Sequence, residues 1–274
     1  MKSRRMNNWN SGALAGVLGA FFLQPFDVLK TYSIVSAKNQ SGMATGCRLV
    51  LSKYGVLGLW RGVTAAVGRA LIGSGFYFLL LEEFKFIAGS SNIMVMGMCS
   101  GLAKVSITTL CQPISIIKVR MESPTCQIYS SLFNAVSTIY STEGIKGFYR
   151  GIVPSVIKDV PYSTLGYAFY EKYIQIFSSL TFSDRKNPIV TLSAGVSAGF
   201  TATLITQPFD VIKTRIQLQK VNGGKYSNMI ESMKTIYEED GLSGFQRGLW
   251  PRIAKRFFSF PLVWTLYEQI KISL

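Results

Sequence analysis

Charged side chains interrupt three long apolar stretches of this chain, and their types and spacing suggest what they could do. They stand seven or eight residues after a recurring Arg-Gly pair: Arg69, Lys158, Asp159, Lys255 and Arg256. A base can hold a carboxylate through charge-assisted hydrogen bonds, and an acid can hold an ammonium group. Burying either end of an amino acid without a partner is costly, so this set suits a small zwitterion. The alternative is that Lys158 and Asp159 only neutralise each other.

The rest of the sequence offers little for covalent or metal chemistry. It contains no His, which excludes His-based zinc sites, haem ligation through His and Ser-His-Asp catalysis. Its four Cys fall in no CxxC pair, and neither a phosphate-binding loop nor an EF-hand loop is present. We therefore expect no enzyme, no metal and no cofactor.

Composition favours a membrane protein. Hydrophobic residues make up 48% of the 274 residues, charged residues only 16%, and the mean hydropathy is +0.27. The net charge of +15 suits either nucleic acid or an anionic membrane. Lys and Arg bracket the long apolar stretches, a pattern typical of membrane proteins, so we expect no nucleic-acid partner.

Two markers recur three times in the same order, which indicates a triplicated unit. The first is 24-QPFDVLKTY-32, 112-QPISIIKVR-120 and 207-QPFDVIKTR-215. The second is 55-GVLGLWRG-62, 144-GIKGFYRG-151 and 241-GLSGFQRG-248. We place the three repeats at residues 1–90, 91–180 and 181–274.

Each repeat contains two apolar segments joined by a polar, helically periodic one. All six apolar segments can supply the roughly 20 residues that a membrane helix needs, and irregular backbone cannot face lipid. The sequence therefore predicts an all-α membrane protein with six transmembrane helices, bent at prolines in the first helix of each repeat, and three short amphipathic helices. Small-residue pairs such as Gly97/Gly101 and Gly195/Gly199 are expected to let helices approach closely.

The repeated motifs resemble those of the mitochondrial carrier family, in which Pro-x-acid-x-x-base-x-base precedes acid-Gly and aromatic-base-Gly. The resemblance covers nearly the whole chain. It implies a monomeric pseudo-threefold bundle of six helices in the inner mitochondrial membrane, with the short helices on the matrix side, that carries a solute by alternating access. The chain departs from the family pattern at four places: Tyr32, Tyr54, Ser115 and Gln246.

In that family, the acids and bases of the proline motif pair between repeats and close the matrix side. The resemblance thus implies pairs between Asp27 and Lys118 and between Asp210 and Lys30, whereas Lys213 would face Ser115 without an ionic partner. We expect two matrix-side bridges. Gln217 stands where the family often has a bridging glutamine.

The cytoplasmic gate of the family lies at the ends of the even-numbered helices, in the pattern aromatic-acid-x-x-base. Its acids and bases in this sequence are Glu82, Lys85, Glu171, Glu268 and Lys271. Ile174 replaces the third base, so at most two ionic bridges are expected there.

The family contacts its substrate at the offsets described first, so Arg69, Lys158, Asp159, Lys255 and Arg256 are the implied substrate-binding residues. A base followed by an acid is similar to the family's amino-acid carriers. Stretches such as 113-PISIIKVRMES-123 and 158-KDVPYS-163 are similar to members that import glycine for haem biosynthesis. We expect a carrier of a small amino acid, glycine first. The alternatives are a carrier of basic amino acids or another small amino compound and, in a different class, a non-transporting scaffold or enzyme subunit.

Lipid contacts are expected where the even-numbered helices begin, because helix N-termini bind phosphate and basic pockets recognise cardiolipin. The family binds cardiolipin at such positions. The matching residues are Arg61, Gly62, Arg150, Gly151, Arg247 and Gly248. Ordinary interfacial anchoring by aromatic and basic residues is the alternative.

Overall fold

Helices make up almost all of the structure. The computed structural model describes residues 2–36, 42–89, 93–123, 129, 131–181, 184–185, 187–218, 226 and 228–259. The helices are α1 (Lys2–Val35), α2 (Met43–Tyr54), α3 (Val63–Ala88), α4 (Ile93–Glu122), α5 (Leu132–Phe148), α6 (Ile152–Thr181), α7 (Pro188–Gln217), α8 (Met229–Asp240) and α9 (249–259). Short 3-10 helices, Val56–Trp60 and Gly241–Gln246, precede α3 and α9. This part of the chain contains no strand, and the prediction of an all-α fold is confirmed.

The long helices surround a common centre in chain order. Neighbours pack as α1 on α3, α3 on α4, α4 on α6 and α6 on α7. The ring closes through α9, where Phe258 stacks on Phe26 of α1 at 5.7 Å and Arg252 bonds to Gln207 of α7. Within the described ranges, three helical stretches are apolar and long enough to cross a membrane: Val56–Gly73, Met98–Glu122 and Pro188–Gln217.

Each repeat ties its proline helix to the start of its next long helix by one recurring hydrogen bond. The side-chain amide of the glutamine before each proline donates to the carbonyl oxygen of the arginine in Arg-Gly. The three bonds are Gln24 to Arg61 at 2.7 Å, Gln112 to Arg150 at 3.0 Å and Gln207 to Arg247 at 2.8 Å. The glutamine side chain thus satisfies a backbone carbonyl that precedes a helix, which explains why Gln-Pro recurs.

The short helices cover the C-terminal ends of α1, α4 and α7, which we call the proline end. Each buries a hydrophobic residue there. Val50 of α2 packs with Val28 and Tyr32, Ile139 of α5 lies in a cluster with Ile117, and Ile236 of α8 lies in another. Removing these apolar faces from water holds the short helices against the bundle.

The closing glycine of each repeat permits close contact with the next repeat. Gly62, Gly151 and Gly248 have φ of 76°, 73° and 72°, a left-handed conformation that favours glycine. A Cβ at these positions would lie 3.3 Å from Lys118 O of α4, 3.0 Å from Gln217 Cγ of α7 and 2.9 Å from Ile34 Cγ1 of α1, respectively. The first repeat therefore contacts the second, the second the third and the third the first.

We expect Gly248→Ala to destabilise the protein by about 2 kcal/mol or more, because a left-handed φ and a steric clash combine. Its new Cβ would lie 2.9 Å from Ile34 Cγ1 and 3.1 Å from Lys30 O. Gly199→Ala is the control, since a Cβ there meets nothing within 4 Å. Thermal unfolding in detergent measures both, and equal midpoints would contradict the prediction.

Small residues allow close helix packing at only some of the positions where the sequence predicted it. A Cβ on Gly101 would contact Val160 and Thr164 of α6 at 3.5 and 3.6 Å. Gly199 faces open space instead, so the prediction of close approach there was wrong. Helical spacing alone does not say which side of a helix meets a neighbour.

Candidate functional site

A cavity of about 390 Å³ lies between the long helices. All five predicted substrate residues line it, from α3 (Arg69), α6 (Lys158 and Asp159) and α9 (Lys255 and Arg256). Together with residues of the proline end, nine basic and four acidic side chains of the described chain line this cavity. Its strong excess of positive charge attracts anionic groups.

Two ion pairs join α1, α4 and α7, the first long helix of each repeat, at the proline end. Asp27 of α1 pairs with Lys118 of α4, and Lys30 of α1 pairs with Asp210 of α7. These are the two pairs that the motif order predicts. Because both acids are almost fully buried, the pairs are expected to hold the three helices together there.

The third place of the same kind has no acid. Ser115 of α4 accepts a hydrogen bond from Arg69 Nε at 2.9 Å and donates one to the Cys111 carbonyl at 2.9 Å. Lys213 of α7 is 8% exposed and lines the cavity. No carboxylate of the described residues lies within ion-pair distance of it. Ser115 thus forms a hydrogen bond with Arg69, which the sequence analysis predicted to bind the substrate.

Two of the predicted substrate lysines also contact acids of the proline end. Lys255 Nζ lies 2.6 and 2.7 Å from the two carboxylate oxygens of Asp27. Lys158 Nζ lies 2.8 Å from Asp159 and 3.4 Å from Asp210. The cavity and the proline end therefore form one continuous network of charges, which the offsets along single helices did not reveal.

Both carboxylate oxygens of Asp159 have a partner. One of its oxygens pairs with Lys158 and the other accepts a hydrogen bond from Thr108 Oγ1 at 2.7 Å; the residue is only 4% exposed. An ammonium group that binds Asp159 competes with Lys158, which also lies within ion-pair distance of Asp210. Thr108 is a site residue that the sequence analysis missed, because a hydroxyl in an apolar helix gives no distinctive pattern.

Two arginines of α9 differ in their surroundings. Arg256 stacks over the Tyr162 ring, with 4.5 Å between the guanidinium carbon and the ring centroid. Arg252, also missed from the sequence, donates to Gln207 and Thr206, both at 2.9 Å, and is 7% exposed. Its place one turn before the predicted contact points could have suggested it.

Glu122 and Gln217 stand one helical turn after Lys118 and Lys213, respectively, and both are buried. Glu122 accepts hydrogen bonds from Thr31 at 2.9 Å and Gln24 at 3.1 Å and lies 3.5 Å from Lys118. Gln217, predicted to bridge a gate pair, is fully buried, and neither atom of its side-chain amide has a hydrogen-bond partner in the described structure. Gln217 therefore bridges no ion pair here, because the boundary between the second and third repeats has Ser115 in place of an acid and so has no pair to bridge.

The bases of the three Arg-Gly pairs bind the protein itself. Glu143 lies between Arg120 at 2.6 Å and Arg150 at 2.8 Å, and Asp240 likewise lies between Arg215 and Arg247. Arg247 also donates to the Ser36 carbonyl at 2.7 Å and is 8% exposed; burial lowers the pKa of its guanidinium, which Asp240 counteracts. A lipid headgroup is thus expected to contact the backbone N–H groups near Gly62, Gly151 and Gly248 and not the side chain of Arg247.

In the first repeat, tyrosines replace this ionic arrangement. Tyr32 stands where the other repeats have Arg120 and Arg215, and Tyr54 stands where they have an acid. The Arg61 guanidinium lies 4.6 Å from the centre of the Tyr54 ring, a cation–π contact. The two departures from the motif are therefore one structural change, since a base without its acid would be a buried, uncompensated charge.

The predicted cytoplasmic gate lies mostly outside the described residues. Glu268, Lys271 and the side chain of Lys85 are not described. Glu82 is exposed, Glu171 is half-buried and Ile174 is buried.

Comparison with known proteins adds a second line of information. A sequence profile described as mitochondrial carrier protein matches residues 2–92, 89–180 and 184–274. The mitochondrial glycine transporter of Emericella nidulans is 33% identical, with 98% of this chain and 88% of that protein covered. The mitochondrial glycine transporter of Homo sapiens is 31% identical (96% and 88% covered), and Mitoferrin of Dictyostelium discoideum is also 31% identical (96% and 92% covered).

Proposed function

Since the chain belongs to the mitochondrial carrier family, and is therefore a solute transporter of a mitochondrial membrane and not an enzyme, we propose that it imports glycine. In this proposal, glycine crosses the inner mitochondrial membrane through the central cavity by alternating access and supplies haem biosynthesis. The observation that carries the proposal is the cavity itself, which nine bases and four acids of the described chain line, Asp159 among them.

The charge of the cavity restricts the class of substrate. Nine bases against four acids favour a solute with a carboxylate, and in this proposal Arg69 and Arg256 contribute to binding it. Asp159 can receive the ammonium group once Lys158 turns away. A glycine molecule has both charged ends and no side chain, so it needs no further partner in this polar space.

The alternative substrates fit the cavity less well. A basic amino acid would bring a second positive charge into a cavity that already has an excess of bases. The similarity to Mitoferrin leaves the substrate open from sequence identity alone, yet the same positive field disfavours a bare cation. These arguments support a zwitterion over either cation.

The same proposal assigns the gates and the lipid sites. Asp27 with Lys118 and Asp210 with Lys30 close the matrix side, and Glu82, Lys85, Glu171, Glu268 and Lys271 close the cytoplasmic side. Cardiolipin binds at the starts of α3, α6 and α9, where positive helix N-termini face phosphate. The carrier works as a monomer, because the cavity lies inside one bundle.

Uptake of labelled glycine into liposomes that contain the purified protein tests the proposal. We expect saturable uptake that unlabelled glycine inhibits and that ornithine and lysine do not. Protein-free liposomes give the background. Uptake of lysine or ornithine that glycine fails to inhibit would favour the basic amino acids, and absence of any amino-acid uptake by folded protein would overturn the assignment.

A further inference from the structure

The three repeat boundaries at the proline end are unequal. Two of them carry an acid–base pair, Asp27 with Lys118 and Asp210 with Lys30. By the same threefold order, the third should join position 115 to Lys213, but position 115 is a serine. The boundary between the second and third repeats therefore has its base, Lys213, but no acid at position 115.

Lys213 is a buried base that forms no direct ion pair with a carboxylate of the described residues. It is 8% exposed, lines the cavity, and has no carboxylate of the described chain within 4.0 Å. Lys158 and Arg69 repel its charge, whereas Asp159 and Asp210 attract it from beyond ion-pair distance. A largely buried ammonium group without a direct partner is unfavourable, so an anion that enters from the cavity gains by pairing with it.

Other groups around Lys213 complete a site for a carboxylate. Arg69 Nε lies 2.9 Å from Ser115 Oγ, which places a guanidinium beside the vacant acid position. The neighbouring acids are already occupied, since Asp210 binds Lys30 and Lys158, and Asp159 binds Lys158 and Thr108. A base, a hydroxyl and a fork of guanidinium donors match the acceptors of a carboxylate.

We infer that the substrate carboxylate binds between Lys213 and Arg69 beside Ser115, where it takes the place of the gate acid that the second repeat lacks. The inference rests on the proposed transport of an amino acid and gives Lys213 a direct role in binding it. Asp159 lies in the same cavity, so the ammonium group of the same molecule can face it once Lys158 turns away. Bound substrate then completes the third boundary.

Binding is measured first, on the purified full-length protein in detergent, as the rise in unfolding temperature with glycine and with acetate. Acetate has the carboxylate without the ammonium group. We expect Lys213→Gln to weaken the apparent affinity for both about tenfold or more, the effect of losing a hydrogen bond between charged groups. Lys234→Gln removes a base from the exposed side of α8, where its side chain is 78% exposed, and should bind both as the wild type does.

Adding the missing acid provides a second test. Ser115→Asp should pair with Lys213 and raise the unfolding temperature, while it raises the KM for glycine uptake about tenfold because the new carboxylate competes with the substrate. Ser115→Asn adds similar bulk without charge and should raise KM less. If Ser115→Asp acted only by strengthening the gate, kcat would fall at an unchanged KM.

Four results would overturn the inference. They are wild-type affinity in Lys213→Gln, an unchanged KM in Ser115→Asp, an equal KM in the Asp and Asn variants, or stabilisation by chloride alone without glycine or acetate. Loss of acetate stabilisation in Lys213→Gln would support this carboxylate subsite even if glycine were not transported. Failure of the wild type to transport glycine would instead count against the proposed function.

Discussion

Replacing Asp159 by asparagine is expected to lower the rate of glycine uptake about a hundredfold at low substrate concentration, the effect of losing a charged partner in a buried site. Asp159 is the only acid among the five predicted substrate contacts and is 4% exposed. Asparagine keeps the size of the side chain and can still accept the hydrogen bond from Thr108. The loss should therefore reflect charge, and initial rates in liposomes at several glycine concentrations measure it.

Three comparisons make this result interpretable. Glu238→Gln removes an acid whose side chain is 62% exposed on α8 and should transport glycine normally. Asp159→Glu keeps the charge and should retain more uptake than Asp159→Asn. An unfolding temperature near that of the wild type shows that Asp159→Asn is folded. If such folded protein transported glycine within threefold of the wild-type rate, Asp159 would not bind the ammonium group.

Replacing Glu143 by glutamine is expected to destabilise the protein by about 3 kcal/mol or more, because it leaves two bases without their acid. The Arg120 side chain is 1% exposed and that of Glu143 3% exposed, and Arg150 binds the other oxygen of Glu143. Thermal unfolding in detergent measures the change. Glu238→Gln again provides the exposed control and should shift stability by no more than about 0.5 kcal/mol.

The first repeat suggests a variant that avoids this loss. Arg120→Tyr combined with Glu143→Tyr copies Tyr32 and Tyr54, which replace a base and an acid together. We expect this double variant to be more stable than Glu143→Gln, since it removes the unpaired charge of Arg120 as well. A double variant that is less stable would show that side-chain packing at this boundary outweighs the charges.

Local sequence patterns predicted much of this molecule. Triplication and helix order follow from motifs that repeat in one order, and the resemblance to the carrier family implied the two pairs of the proline end, Asp27 with Lys118 and Asp210 with Lys30. The five predicted substrate residues, which the same resemblance implied, line one cavity. What the offsets could not show is that Lys255 also binds Asp27, because α1 and α9 are neighbours only after the ring closes.

The sequence by itself determined the fold class, the repeat and the location of charge inside apolar helices, because these depend on spacing along one chain and on the cost of burying charge. Only the tertiary structure decided which partners each charged or polar side chain contacts. It placed Tyr32 and Tyr54 in one hydrophobic cluster and Arg69 on Ser115, and it left Lys213 without a carboxylate of the described chain within ion-pair distance. Such partners come from helices distant in sequence, and a side chain's partner is set by the helix face it meets across the bundle.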